Sequence, residues 1–347
     1  MEARVFLSEQ KSAHFFVVPV TLAVLIGFVL SAAAAQAQGT FVSFDAPGAA
    51  QGTFPMAINR SGLIVGYFVD GSGVHHGFMR ATDGTFTIVD VPGSTGTYVT
   101  TVNSKGLAAG YSYSPDDTGF LRYRDGSFAT LLVEPTKWVE PVAMNDIGQI
   151  AGNAGLPIPR GFVWSHGRTI IWEMIIAGSW AGVYGMNSSG VIVGAYNDRL
   201  KQTTVHGFVR DSTGNISSFD ATDSSTQTRG TAINAGGQIA GWYLDATEEA
   251  LPFLRDADGT ITLFSLGGAQ GEATSINDAG VVVGNTINNI APPYENAFER
   301  DAAGNVTLLA LPFSNLASTA VGINLSGRVV GTYYDSAYVA HGWLMTP

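Results

Sequence analysis

Ten residues at 57–66 (AINRSGLIVG) return six more times along the chain, at 101–110, 143–152, 185–194, 232–241, 275–284 and 322–331. This recurrence restricts the fold more than any other property. Each copy reads small residue, apolar residue, Asn, two variable residues and Gly, with a second Gly after three more residues. The frame predicts a hairpin turn. The Asn side chain caps its own backbone two residues on, and the first Gly supplies the positive φ of a bulged type I hairpin. The Asn residues (Asn59, Asn103, Asn145, Asn187, Asn234, Asn277 and Asn324) lie 42 to 47 residues apart. A period of that length built from strands is expected of propeller blades.

Within one period the pattern predicts four strands. In the first, a strand ends at Asn59, a second covers 63–68, a third 76–80 (HGFMR) and a fourth 86–90 (FTIVD), with a turn at Asp83-Gly84 between the last two. That second turn recurs with Gly at 84, 126, 167, 214, 259 and 304, one time fewer than the Asn frame. The chain ends at 341–347 (HGWLMTP), a third strand without a fourth, and the missing piece stands at the other end. Residues 41–48 (FVSFDAPG) match 86–93 (FTIVDVPG) at Phe, Asp, Pro and Gly. The expectation is an all-β fold: a single seven-bladed β-propeller of four-stranded blades over 38–347, closed by the N-terminal strand completing the last blade.

The succession INxxGxIVGxY, HGF, a Gly turn and FTxxDxPG resembles the HAF-type repeat of bacterial extracellular proteins. The resemblance covers nearly all of 39–347 and implies secretion and a propeller-like fold, with no particular activity. The HGF element is intact at His76-Gly77-Phe78 and His206-Gly207-Phe208, and nearly so at His341-Gly342-Trp343. Elsewhere its His is replaced while the aromatic is kept, so the aromatic is the structural residue.

Residues 1–37 read as a secretory signal. Arg4 and Lys11 precede an apolar run at 15–30, and Ala35-Gln36-Ala37 has the small-x-small pattern of a cleavage site after Ala37. The alternative is an uncleaved anchor, but the run falls short of the roughly 20 apolar residues that span a bilayer comfortably. No later run is as long, so no membrane span is expected after cleavage, and the mature protein is expected to be secreted or periplasmic. The formal net charge is −11 and no basic cluster occurs, which disfavours nucleic acid as a partner. With no cysteine in the chain, disulfides, thiolate metal sites and Cys nucleophiles are excluded.

No phosphate loop, nucleophile elbow, HExxH helix or other cofactor motif is present, and neither cofactor nor metal is expected. His76, His206 and His341 occupy equivalent points of different repeats and are expected to be structural, bonded to backbone at strand starts. Asp256-Ala257-Asp258-Gly259 lacks the remaining ligands of a calcium loop. Three Asn-x-Ser sequons, at Asn59, Asn187 and Asn324, fall on the turn itself and are read as turn chemistry.

The candidate site lies where the repeats disagree. One residue before each key Asn is apolar and two before is small, whereas five before stand Phe54, Tyr98, Glu140, Gly182, Arg229, Glu272 and Thr319. Seven before stand Gly52, Gly96, Trp138, Trp180, Gln227, Gln270 and Ala317. If the first strand is innermost, both series ring the mouth of a central channel. The ligand-binding candidates are then Phe54, Tyr98, Trp138, Glu140, Trp180, Arg229 and Glu272. Arg229 is expected to be exposed, to lie between the two carboxylates, to neutralise both in part and to contribute only about 0–1 kcal/mol to stability. The plain alternative is that loop tips vary because nothing constrains them.

Three functions are consistent with this pattern. One is a non-enzymatic propeller binding a glycan, peptide or protein partner through its channel-mouth face, with rings for stacking and charges for orientation. The second is an acid/base glycoside hydrolase or lyase using Glu140 and Glu272. The third is a structural surface protein.

Overall fold

The computed structural model describes residues 39–347 except 115, 134–137, 156–158, 166, 173–179, 198–203, 289–294 and 315. The expected signal segment, 1–37, lies outside the described residues. Among them, no helix is long and apolar enough to cross a membrane.

Each repeat is built outward from its Asn. Asn59 accepts at Oδ1 the N–H of Ser61 (3.0 Å) and of Leu63 (2.9 Å), and its carbonyl accepts the N–H of Gly62 at 2.9 Å. Gly62 has φ 90° and Gly190 φ 78°, the positive values the turn requires. The Asn side chains are 4–6% exposed. Ser61 Oγ and Ser326 Oγ donate to Oδ1 of Asn59 and Asn324 at 2.8 and 2.9 Å, so these two sequon serines serve the turn.

The first unit comprises β2 (Gly52–Ile58), β3 (Ile64–Val69), β4 (His75–Arg80) and β5 (Phe86–Val89), paired antiparallel in that order. The same arrangement recurs at 96–131, 139–172, 181–219, 227–263 and 270–308. Every first strand carries a bulge that the sequence pattern did not predict: its register against the second strand slips by one residue, in the first unit between Pro55 and Ala57. The second Gly of the frame explains why the bulge is tolerated. A Cβ on Gly66 would run into the carbonyl of Phe54, and one on Gly331 into that of Thr319. On its other side Gly66 pairs with Phe78, and Gly331 with Trp343. Phe78, Phe162, Phe208, Phe253, Phe298 and Trp343 are all fully buried, as the retained aromatic of the HGF element requires.

The last unit is completed from the other end of the chain. β1 (Thr40–Phe44) pairs antiparallel with the final strand, Ala340–Thr346, setting Phe41 opposite Met345 and Phe44 opposite Gly342. The expected single, closed seven-bladed propeller is nevertheless not what the strands form. Among the described residues, 28 strands make one twelve-stranded sheet, one eight-stranded sheet and two four-stranded sheets, and none of them closes on itself. The reason lies where the units meet. At three seams one parallel bridge joins the start of the last or third strand of one unit to the first strand of the next: Glu295 to Ala317, Ala340 to Gly52, and Val205 to Gln227. These bridges fuse three units into the large sheet and two into the eight-stranded one.

Side chains supply the remaining links. Asn59 Nδ2 donates to Asn103 O at 2.8 Å, and Asn187, Asn234 and Asn277 donate in the same way to the next key Asn at 3.1–3.2 Å. Asn324 donates to Asn59 O at 3.2 Å, tying the last frame to the first. Asn145 directs its amide to Gln149 Oε1. The seven turns surround a cavity of about 460 Å³, with Ile58, Val102, Met144, Met186, Ile233, Ile276 and Ile323 among its walls. The first strands are therefore the innermost ones, and the small residue two before each Asn permits their approach: a Cβ on Gly185 would meet Ala232 at 3.2 Å.

Farther out, arginines at the end of third strands reach back over an aromatic ring of the preceding unit. Arg80 lies 4.7 Å from the ring of Phe44, Arg255 5.0 Å from Phe219 and Arg300 5.1 Å from Phe264.

Replacing Asn277 by Ala deprives the N–H groups of Ala279 and Val281 of their acceptor and leaves the Asn324 carbonyl with the Gly327 N–H alone. At about 1–3 kcal/mol for a buried group left unsatisfied, with Ala279 itself exposed, the cost should be about 1–3 kcal/mol by urea unfolding. Asn277→Asp keeps the acceptor, loses the donor and faces a carbonyl with a charge, so it should also destabilise; an Asp variant as stable as wild type would show that the inter-unit bond contributes nothing.

Candidate functional site

The strands' other ends, opposite the Asn turns, carry the divergent series. Pairing sets each residue five before the Asn against one on the second strand: Phe54 with Tyr67, Tyr98 with Tyr111, Glu140 with Asn153, Arg229 with Trp242, Glu272 with Asn285 and Thr319 with Thr332. The bulge lies just beyond this pair, and bulges bend a strand and re-aim its side chains.

In the first two units the result is a row of half-buried rings. Phe54 stacks on Tyr67 at 4.9 Å, Tyr67 lies 4.7 Å from Tyr98, and Tyr98 stacks on Tyr111 at 4.7 Å. His75 stacks on Tyr98 at 5.0 Å, and Tyr113, 5.4 Å from Tyr98, is exposed at the rim. Offset ring pairs at these separations add about 0.5–1.5 kcal/mol each beyond burial, so the row is a preformed apolar platform.

Arg229 is half-buried and held by its neighbours, where an exposed charge was expected. Its guanidinium lies 5.5 Å from the Trp180 ring and 5.0 Å from the Trp242 ring. Nη1 donates to the Tyr184 hydroxyl at 3.1 Å and Nη2 to Gln227 Oε1 at 3.2 Å. Held this way, the side chain contributes to stability beyond the 0–1 kcal/mol of an exposed pair, by cation–π attraction. The backbone N–H of Trp180 donates to Asn197 Oδ1 at 2.6 Å, fixing the chain at this point. Trp138 is half-buried at the leading end of the third unit's first strand, with its carbonyl accepting the N–H of Gly155 at 3.0 Å.

The carboxylates are not arranged as expected either. Burial pushes the Glu140 carboxyl up, opposed by a hydrogen bond from Asn153. The charge of Glu140 reaches Tyr111 and Tyr184, raising both phenols, whose burial already acts in that direction. Glu272 is also raised by burial, with Arg229 pulling it down and Glu295 pushing it up. Arg229 thus serves Glu272, while Tyr184 stands between it and Glu140. The carboxylate near Glu272 is Glu295, itself raised by burial, and the Glu295 charge reaches Tyr334 in the neighbouring unit.

Tyr67, Tyr111, Tyr113, Tyr184, Trp242, Glu295 and Tyr334 were not among the sequence candidates. For Tyr67, Tyr111 and Trp242 the signal was available in the position eight after the key Asn, the hairpin partner of the divergent series; Tyr113 and Tyr334 stand two residues farther on, and Tyr184 lies on a first strand three before Asn187. Glu295 is different, since it begins a third strand and reaches the mouth only through the packing of units.

The HGF histidines bond to carboxylates and not to backbone. Nδ1 of His76, His206 and His341 lies 3.0, 2.8 and 2.9 Å from Asp90, Asp220 and Asp45. These are the Asp residues of FTxxDxPG and its equivalents, so each pair ties a third strand to the end of the fourth strand beside it. Among the described residues no group of three or more potential ligands could hold a metal ion.

Taken together, these features define a propeller-like all-β protein with an aromatic and acidic mouth at one end of its innermost strands. Solved structures share the fold. A streptogramin B lyase is 12% identical with a TM-score of 0.58, over 88% of this chain and 97% of that one. Virginiamycin B lyase from Staphylococcus aureus is 11% identical with a TM-score of 0.59, over 89% and 99%. YCF48 bound to a D1 peptide is 9% identical with a TM-score of 0.55, over 88% and 97%. At these identities the likeness is one of fold alone. No family model matches the sequence, and no curated protein is similar to it.

A carboxyl raised by burial binds more protons folded than unfolded between its two pKa values, so it removes stability as pH rises through that window. Glu140→Gln should therefore gain on wild type in urea unfolding as pH rises from the ordinary Glu value of 4.5 towards neutrality. A stability difference that stays constant over this range would show that Glu140 is not raised.

Proposed function

We propose that the protein is a secreted or periplasmic, non-enzymatic binding protein of the HAF-repeat type that takes a glycan, peptide or protein partner on its mouth face. The observation that carries this reading is the row of half-buried rings from Phe54 through Tyr67 and Tyr98 to Tyr111, stacked within each hairpin and tilted where Tyr67 meets Tyr98. Rings held this way lose little freedom when a ligand covers them, and such aromatics anchor interfaces and sugar or peptide sites. Beside them, Arg229 is held rigidly by Trp180 and Trp242 and supplies an oriented donor. A similar fold occurs in YCF48 bound to a peptide, which supports a peptide among the possible partners.

A second reading, an acid/base enzyme acting on carbohydrate, is favoured by the neighbouring raised carboxyls of Glu272 and Glu295, since a raised carboxyl is suited to donate a proton near neutral pH. It would use this pair, where the sequence pattern pointed to Glu140 and Glu272.

Glycan and peptide arrays separate the two readings. Wild type should retain a ligand unchanged, Tyr98→Ala should weaken binding by about tenfold or more, the scale of an aromatic hot spot, and the Tyr98/Arg229 double Ala variant should abolish it. Equal binding by wild type and the double variant would show that the mouth is only a variable margin, and cleavage of an arrayed glycan, lost in Glu272→Gln, would establish the enzyme.

A further inference from the structure

One part of the mouth is furnished for a charge that the protein does not itself supply. Between the first, sixth and seventh units lies a cavity of about 330 Å³, with Phe54, Tyr67, Tyr334, Glu295, Thr319 and Thr332 among its walls. It sits at the two seams where Glu295 bridges to Ala317 and Gly52 to Ala340. Its rings are half-buried, as is Glu295, and burial raises the Glu295 carboxyl while no described cation offsets it.

The junction of the fourth, fifth and sixth units shows what such surroundings hold. There, two indole rings, a tyrosine hydroxyl and a nearby carboxylate enclose a cation, and that cation is Arg229. At the seam the rings and the carboxylate are present again, but the position equivalent to Arg229 is Thr319 in the seventh unit and Phe54 in the first. The chain carries a net charge of −11, so its field favours the approach of a cation. A carboxylate beside aromatic faces in a partly dehydrated cavity favours ammonium groups through cation–π attraction and charge-assisted hydrogen bonding.

We propose that this cavity is an organic-cation site, with Glu295 as counter-ion and Phe54, Tyr67 and Tyr334 as its walls, taking the ammonium group of a lysine side chain or of a free alkylammonium. The proposal rests on the reading of the mouth as a binding face and gives that face a ligand chemistry.

Isothermal titration of the full-length protein with Nα-acetyl-lysine amide, tetramethylammonium chloride and the neutral Nα-acetyl-norleucine amide tests it. At least one of the two cations should bind about tenfold or more tightly than the norleucine derivative, the range of a partly desolvated cation–π site. The preference should vanish in Glu295→Gln and persist in Thr307→Ala on the exposed outer strand. If Glu295→Gln lowers the melting temperature, Tyr334→Leu gives the same reading through loss of a ring. A tighter lysine derivative points to a peptide source and tighter tetramethylammonium to a free ammonium, and either supports the site. Equal binding of all three probes by wild type, or a preference kept in both variants, overturns it. An array ligand held equally by wild type and Glu295→Gln would overturn the cation site and leave the mouth reading standing. A cation preference without any array ligand would do the reverse.

Discussion

A buried primary amide that answers to two units at once is the constraint on which the rest of this structure depends. In its own turn each key Asn accepts backbone N–H groups at Oδ1, as Asn277 does from Ala279 and Val281. With Nδ2, Asn277 donates to the carbonyl of Asn324 in the next turn. Inside the protein an unmade bond of this kind costs far more than a made one contributes. The turn and the seam therefore stand or fall together. Among the described residues none of the sheets is closed, and the return from the last repeat to the first is made by Asn324 to Asn59, by β1 beside the final strand, and by the Ala340 to Gly52 bridge.

The same constraint leaves the opposite ends of the first strands free. Close packing at the Asn end admits only small and apolar residues, and the bulge against the second Gly uses the carbonyl of the residue five before Asn, not its side chain. The repeated backbone therefore does not specify that side chain, and it varies from Phe54 to Arg229 to Glu272 while the backbone beneath it repeats. A rigid frame with an unconstrained rim is suited to recognition, because its side chains are held in place before a ligand arrives.

Charge is distributed around the rim with a clear asymmetry. Arg229 lies between Trp180 and Trp242 and offsets Glu272, whereas Glu295 has rings beside it and no described cation. The outer arginines are spent on packing, over Phe44, Phe219 and Phe264. These arginines of an acidic protein thus join units, and the face left for a partner is aromatic and acidic.

How much of this was legible follows from the range of the interactions. The Asn frame, the turn glycines at positive φ, the retained aromatic of HGF and the pairing of 41–45 with the final strand are encoded by residues that are close in sequence or repeated, so periodicity alone determined them. The bulge depends on how a glycine faces a carbonyl across a hairpin, and the fusion of units into open sheets depends on single bridges such as Glu295 to Ala317. Neither has a local signature. The divergent series pointed to Phe54, Tyr98, Trp138, Glu140, Trp180, Arg229 and Glu272, but it paired Arg229 with both carboxylates and placed it in solvent. Only the tertiary structure set Tyr184 between Arg229 and Glu140, brought Glu295 beside Glu272, and sank Arg229 between two indoles. Those placements arise from the packing of one unit on the next, across more than forty residues of chain.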